Sequence, residues 1–340
     1  MAPECLLHKE KAKTASDLWS VDMTLIEFMT EQDAWNIDDD EVEDPLTIIL
    51  QMMINEVIHF FLCFTDFIHK DVVRRNSGKR HFVFATQQQL DFLARGKRWY
   101  IDGTFKLVKA PFTQLVSIHC FMKKDEVTKQ IPLCFALMSG KSKSDYKAVM
   151  RAVKELLPAD ILLKEIMADY EEAIWRAARD VFDGVEIKGC SFHWRQAVYR
   201  KVQAVGLHQS YMKKDATYKL LRQVLALPYL PEELILDMFE KLREKATTDK
   251  LKEVFNYVDR QWIRSSVMPP STWNCYLQTV RTNNDLEGWH SRLNKRGKKA
   301  NLPFYLLVSL LHKEATYITI QAKLVSEKKL QRHQKKNIWR

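Results

Sequence analysis

Three strand-like runs, followed by a regular alternation of helix and strand, constrain this chain more than any other feature. "KRWYIDGTFKLV" (97–108), "TQLVSIHCFM" (113–122) and "IPLCFALMSG" (131–140) are rich in Ile, Val, Leu, Phe and Tyr, the composition of strands. The short polar connection "KKDEVTKQ" between the second and third predicts an antiparallel meander. Helical spacing follows: Tyr146, Val149, Met150, Val153 and Leu157 share one face of 144–157. "ILLKEIMA" (161–168) predicts a strand ending at Asp169. Ile174, Ala177, Ala178, Val181 and Phe182 then mark an amphipathic helix. "VEIKGCSF" predicts a short strand and "HWRQAVYRKVQAV" a helix. A meander leading into such alternation predicts an α/β fold, a mixed sheet with helices on both faces.

The pattern breaks over 207–281, where "LLRQVLAL" and "PEELILDMFEKLREKA" predict an all-helical insertion. Helical spacing resumes over 284–324. The expected organisation is an N-terminal region (1–80), a first core part (81–206), the helical insertion (207–281), the last core helices (282–322) and a basic tail (323–340). Residues 31–44 carry eight acids and no Lys or Arg, which predicts a solvated linker or a shield for a basic groove. The apolar run 45–69 contains Glu56, His59 and Asp66. Charges at such depth disfavour a membrane span, so a buried or partner-binding helix is expected.

Composition sets the class of partner. A formal charge of +10 favours a polyanion, nucleic acid before membrane. The six cysteines form no C-x-x-C pair, a pattern of reduced intracellular thiols. The first residues lack an apolar segment ahead of their charges, so no signal peptide is expected.

Asp102 and Asp169 interrupt apolar strand runs near their carboxyl ends, where α/β sheets place their sites. Gly103 would leave room beside Asp102 for a phosphate. Two close carboxylates repel unless a divalent cation lies between them. Glu287, in "TNNDLEGWHSRLNK", shares a helix face with His290, Ser291 and Asn294, while Leu286 and Leu293 can pack inward. It is a candidate third ligand. The plainer alternatives stay open: Asp169 can cap a helix starting at Tyr170, and Glu287 can be surface charge. Lys295, Arg296, Lys298 and Lys299, with the cluster 328–336, can track a phosphate backbone or simply be solvated. Trp262 and Trp273 can stack on displaced bases or fill the core.

"WYIDGTFK" (99–106), "YKAVMRAVKELLP", "MADYEEAIWRAARDVF" (167–182), "GCSFHWRQAVYRKV" (189–202) and "TNNDLEGWHSRLN" (282–294) together resemble the catalytic domain of Mutator-like element (MULE) transposases. The resemblance spans about 82–320, with the blocks in the family's order and a helical insertion before the last. It implies a ribonuclease-H-like fold and a DDE triad falling on Asp102, Asp169 and Glu287. The implied cofactor is Mg²⁺ or Mn²⁺, two ions held by the same three residues. The implied activity is cutting and joining of DNA at element ends. The partners would be terminal inverted repeats, target DNA and further copies of the chain, in the nucleus and not at a membrane. The family's C-x-x-H element falls on Cys190 and His193, half a tetrahedral site only, so no structural zinc is expected. A strand-to-helix packing and DNA-positioning element is expected there, with Cys190, His193 and His290 as DNA contacts. Many members carry an N-terminal zinc-binding module, whereas residues 1–80 contain only Cys5 and Cys63. The chain would then be a truncated member, recognise repeats through other surfaces, or be a domesticated, non-catalytic DNA-binding regulator.

Overall fold

The computed structural model describes residues 67–327, apart from 76, 125–126, 214 and 279–283. The acidic segment 31–44, most of the apolar run 45–69, Cys5, Cys63 and the cluster 328–336 lie outside the described residues.

The strands are β1 (Ile68–Arg74), β2 (Lys79–Phe84), β3 (Arg98–Thr104), β4 (Gln114–Lys124), β5 (Val127–Met138), β6 (Glu165–Ala168) and β7 (Glu186–Gly189). They form one seven-stranded mixed sheet in the order β1-β2-β5-β4-β3-β6-β7. β1 to β5 pair antiparallel, and β6 and β7 join β3 in parallel. The meander and the alternation after it are therefore as the periodicity predicts. The hairpin β1–β2 extends the sheet beyond β5, taking in residues ahead of position 81. No apolar alternation announces it in "IHKDVVR", because an edge strand buries little.

The helices are α1 (Gln87–Arg95), α2 (Lys143–Glu155), α3 (Glu172–Val181), α4 (Ser191–Ala204), α5 (His208–Met212), α6 (Ala216–Val224), α7 (Glu232–Arg243), α8 (Asp249–Val258), α9 (Pro270–Trp273), α10 (Asn284–Arg296) and α11 (Phe304–Ser326). Two of them start at capping boxes. Thr86 and Gln89 open α1, and Ser142 and Asp145 open α2, each pair satisfying two backbone N–H groups reciprocally.

Strand alternation divides the core. Trp99 and Ile101 of β3, with Ile166 and Ala168 of β6, pack into the main cluster with α1, α2 and α3. Tyr100 and Met167 point to the other face, where they receive Leu286 of α10. Trp289, one helical turn on, stacks on Phe135 of β5 at 5.7 Å. α11 completes that face over β4 and β5.

Residues 208–273 are helical apart from their connections, a 3₁₀ turn and one π turn. α8 packs on α4, and α9 on β7. Trp262 and Trp273 are buried here: Trp273 stacks on Trp194 at 5.1 Å, and Trp262 meets Tyr170 edge-on at 4.6 Å. Base stacking by these two tryptophans is thereby excluded, since both rings are spent in the core. No described helix is long and apolar enough to cross a membrane.

Candidate active site

Parallel pairing of β3 with β6 sets Ile101 opposite Ala168. The next residue in each case is an aspartate, so Asp102, near the end of β3, and Asp169, just past the end of β6, are lateral neighbours. Asp102 lies on the same side of β3 as Tyr100, the face covered by α10. It is 7% exposed, and its Oδ1 accepts the Gly103 N–H at 2.8 Å. Gly103 does not open space beside Asp102. A Cβ there would point to the opposite face and meet Gln114 Oε1 at 3.2 Å, because consecutive strand residues face opposite ways.

Asp169 follows β6 directly. α3 begins only at Glu172, and Asp169 is not its N-cap. Its Oδ1 accepts the Glu171 N–H at 3.1 Å, and its carbonyl accepts the Trp175 indole N–H at 2.6 Å. The turn carrying this carboxylate is thus tied at both ends. The Cys190 N–H donates to the Ala168 carbonyl at 3.1 Å, joining the end of β7 to the residue before Asp169.

α10 delivers the third acid. Leu286 and Leu293 are fully buried, and the Trp289 indole N–H donates to Glu314 of α11 at 2.8 Å. With those positions inward, Glu287, His290, Ser291 and Asn294 line an open cleft of about 540 Å³, together with Lys106, Lys295 and Lys298. His193 Nε2, in the first turn of α4, lies 3.3 Å from Glu287 Oε1. His290 Nδ1 lies 3.6 Å from Asp102 Oδ2.

Electrostatics ties the three acids together. Asp102 is pushed up to about 7, first by burial, then by the charges of Asp169 and Glu287, against the lowering Gly103 N–H. Burial holds His290 down to about 4, so that ring is neutral near pH 7.

Hard oxygen donors that repel one another suit Mg²⁺ or Mn²⁺. Glu287 Oε1 is buried and forms no hydrogen bond, the His193 ring at 3.3 Å being a contact outside hydrogen-bond geometry; an oxygen so placed suits a divalent cation as ligand. Among the described residues no three His, Cys, Asp or Glu side chains stand ready-grouped around one point. Sharing an ion would require the carboxylates to turn toward each other.

The candidate DNA contacts divide. Lys295 and Lys298 face the cleft, while Lys299 is exposed outside its lining. The Arg296 guanidinium is engaged with Glu314 and lies 5.3 Å from the Tyr317 ring. Cys190 is wholly buried at the strand-to-helix turn and offers no surface to a phosphate; it can act only by holding α4 and His193 in place. His290 is 8% exposed and is turned toward Asp102. Sequence reasoning missed Lys106, Ser117 and His119. The last two were detectable as polar residues two apart within the apolar run "LVSIHCF".

No curated protein matches the chain. The family model of the MULE transposase domain matches residues 98–197, a segment that contains Asp102, Asp169, Cys190 and His193 and ends before Glu287. Residues 98–197 are thus similar to the MULE transposase domain, and the neighbouring strand-end aspartates lie inside the matched segment.

Proposed function

We propose that the chain is a DDE-type DNA transposase, or a protein derived from one, that cuts and joins DNA phosphodiesters at element ends with Asp102, Asp169 and Glu287 as its metal ligands. The observation that carries this is placement: the β3–β6 register sets Asp102 beside Asp169, and α10 lies over the same face with His290 3.6 Å from Asp102 and Glu287 one turn earlier. A ribonuclease-H-like core is supported by the strand order, three antiparallel strands (β5, β4, β3) followed by two parallel ones (β6, β7). On that view residues 207–281 are an insertion before the helix that supplies Glu287.

Two Mg²⁺ or Mn²⁺ ions, when bound, would supply a Lewis-acid clamp on the attacking and leaving oxygens. Asp102 and Asp169 would hold them from the sheet and Glu287 from α10. Lys106, Lys295 and Lys298 would bind backbone phosphates along the cleft, orienting the scissile bond past Glu287. His193 would keep Glu287 from turning out to solvent. The substrates are then terminal inverted repeats and target DNA. Holding two element ends at once calls for more than one copy of the chain, and chromosomal DNA for a nuclear location.

The test is nicking of a terminal-repeat duplex in Mg²⁺ or Mn²⁺ by the wild type and by Asp102→Asn, Asp169→Asn and Glu287→Gln. Loss of nicking in all three, with DNA binding retained, is expected. Nicking by any of them at the wild-type rate removes that residue from the triad. Binding without nicking under either metal, even by the wild type, would instead mean a DNA-binding protein without catalysis.

A further inference from the structure

Beneath α10, β4 carries two buried polar residues on the face that also bears Asp102. Strand register sets Ser117 opposite Asp102 and His119 opposite Tyr100. Both are essentially inaccessible to solvent, and the His119 ring is walled in by Trp289, edge-on at 4.9 Å. Buried polar groups are costly unless each finds a partner. These find each other: His119 Nε2 lies 3.0 Å from Ser117 Oγ, and Ser117 Oγ lies 3.3 Å from His290 Nε2. The other nitrogen of that ring, Nδ1, is the one 3.6 Å from Asp102 Oδ2.

The chain of contacts has a direction. An ionised carboxylate only accepts, and a neutral imidazole carries one N–H and one bare nitrogen. When Asp102 is ionised, as a metal ligand must be, His290 has to hold its proton on Nδ1, which leaves Nε2 as an acceptor. The Ser117 hydroxyl then donates to Nε2, and its oxygen accepts from the His119 Nε2–H. Run the other way, the chain would aim a bare nitrogen at a carboxylate.

We infer that His290 is a positioning residue for Asp102: it presents Nδ1–H to Oδ2, while Ser117 and His119 behind it hold the ring in that tautomer. Asp102 then has Oδ1 hydrogen-bonded by the Gly103 N–H at 2.8 Å and Oδ2 facing His290 Nδ1 at 3.6 Å. Its outward lone pairs are aimed along one direction. At 3.6 Å the second contact is electrostatic and longer than a hydrogen bond. The inference deepens the assignment of Asp102 as a metal ligand and rests on it. It gives His290 a role apart from contact with DNA.

Two amide substitutions separate the ring's nitrogens. The amide nitrogen of His290→Asn falls where Nδ1 stood, whereas that of His290→Gln falls where Nε2 stood. Mn²⁺ is titrated into the full chain without DNA and followed by calorimetry, with thermal melts to verify folding. His290→Ala and His290→Gln should weaken Mn²⁺ binding by about 10–100-fold, the range seen when a ligand's supporting hydrogen bond is lost. His290→Asn should stay within about threefold of the wild type on the same grounds. In ¹⁵N spectra of the wild type saturated with Mg²⁺, where Asp102 is ionised, the His290 ring should be protonated at Nδ1 and bare at Nε2.

Rescue by Gln and not Asn, wild-type affinity in His290→Ala, or a ring protonated at Nε2 would each overturn the inference. Should His290→Ala fail to fold, the Asn–Gln pair and the spectrum still decide. Asp102→Asn is the separate control. If it leaves Mn²⁺ affinity unchanged, Asp102 is not a ligand. If it lowers affinity and His290→Ala does not, only the positioning role falls.

Discussion

His193 Nε2 stands 3.3 Å from Glu287 Oε1, joining the first turn of α4 to the first turn of α10. The C-x-x-H spacing sets one of its residues in the core and the other at this contact. Cys190 is buried at the start of α4, and three residues later the helix brings His193 round to face the carboxylate. Removing the imidazole frees Glu287 to turn outward. His193→Ala should slow single-turnover nicking by about 10–100-fold while DNA affinity, measured separately, changes little. A wild-type nicking rate would refute that support.

The protonation of Asp102 predicts two pH effects. Its ordinary value is 3.8, and the fold raises it to about 7, mainly by burial. Folding therefore takes up a proton between those limits, and the stability this contributes is lost as pH rises toward and through 7. At pH 8 in a chelator, the charged buried carboxylate costs on the order of a few kcal/mol. Asp102→Asn should raise the melting temperature by several degrees at pH 8 and have little effect at pH 4. Equal shifts at the two pH values would contradict the assignment.

Cation binding must displace that same proton. Mn²⁺ affinity should climb by up to roughly tenfold per pH unit below 7 and level off above it. Calorimetry across pH 5.5–8.5 reads this directly, and a flat profile would count against a raised Asp102.

Lys106, Lys295 and Lys298 line the cleft beside Glu287, whereas Arg296 is spent on Glu314 and Tyr317. Each Lys→Ala change should reduce the slope of log K against log salt for DNA binding by about 0.9. Arg296→Ala should leave the slope nearly unchanged and lower stability instead, because buried Glu314 loses a partner. Salt titrations of the four variants, paired with urea melts, distinguish the two roles.

Gly189 is a stability test close to the site. A Cβ there would overlap the Tyr170 ring. That ring is held between Trp175, stacked at 5.8 Å, and Trp262 at 4.6 Å. Gly189→Ala should destabilise by about 1–3 kcal/mol, read as a lower urea midpoint at unchanged m-value. Tyr170 directly follows Asp169, so Mn²⁺ binding should weaken with it.

Local pattern alone was enough to determine the strands of the meander, the helices after them and the placement of Asp102 and Asp169 near strand ends. Those features repeat every two or 3.6 residues, and an acid within an apolar run stands out against them. The face of α10 was legible for the same reason: Leu286 and Leu293 point in, leaving Glu287, Ser291 and Asn294 along the cleft. What tertiary structure alone decided is non-local. Register put Ser117 opposite Asp102, and helix docking brought His290 to Asp102, His193 to Glu287 and Arg296 to Glu314. It also took Trp262 and Trp273 into the core and turned the open side of Gly103 toward Gln114. Pairing register and docking angle arise from contacts between residues far apart along the chain, and no periodicity within a single element encodes them.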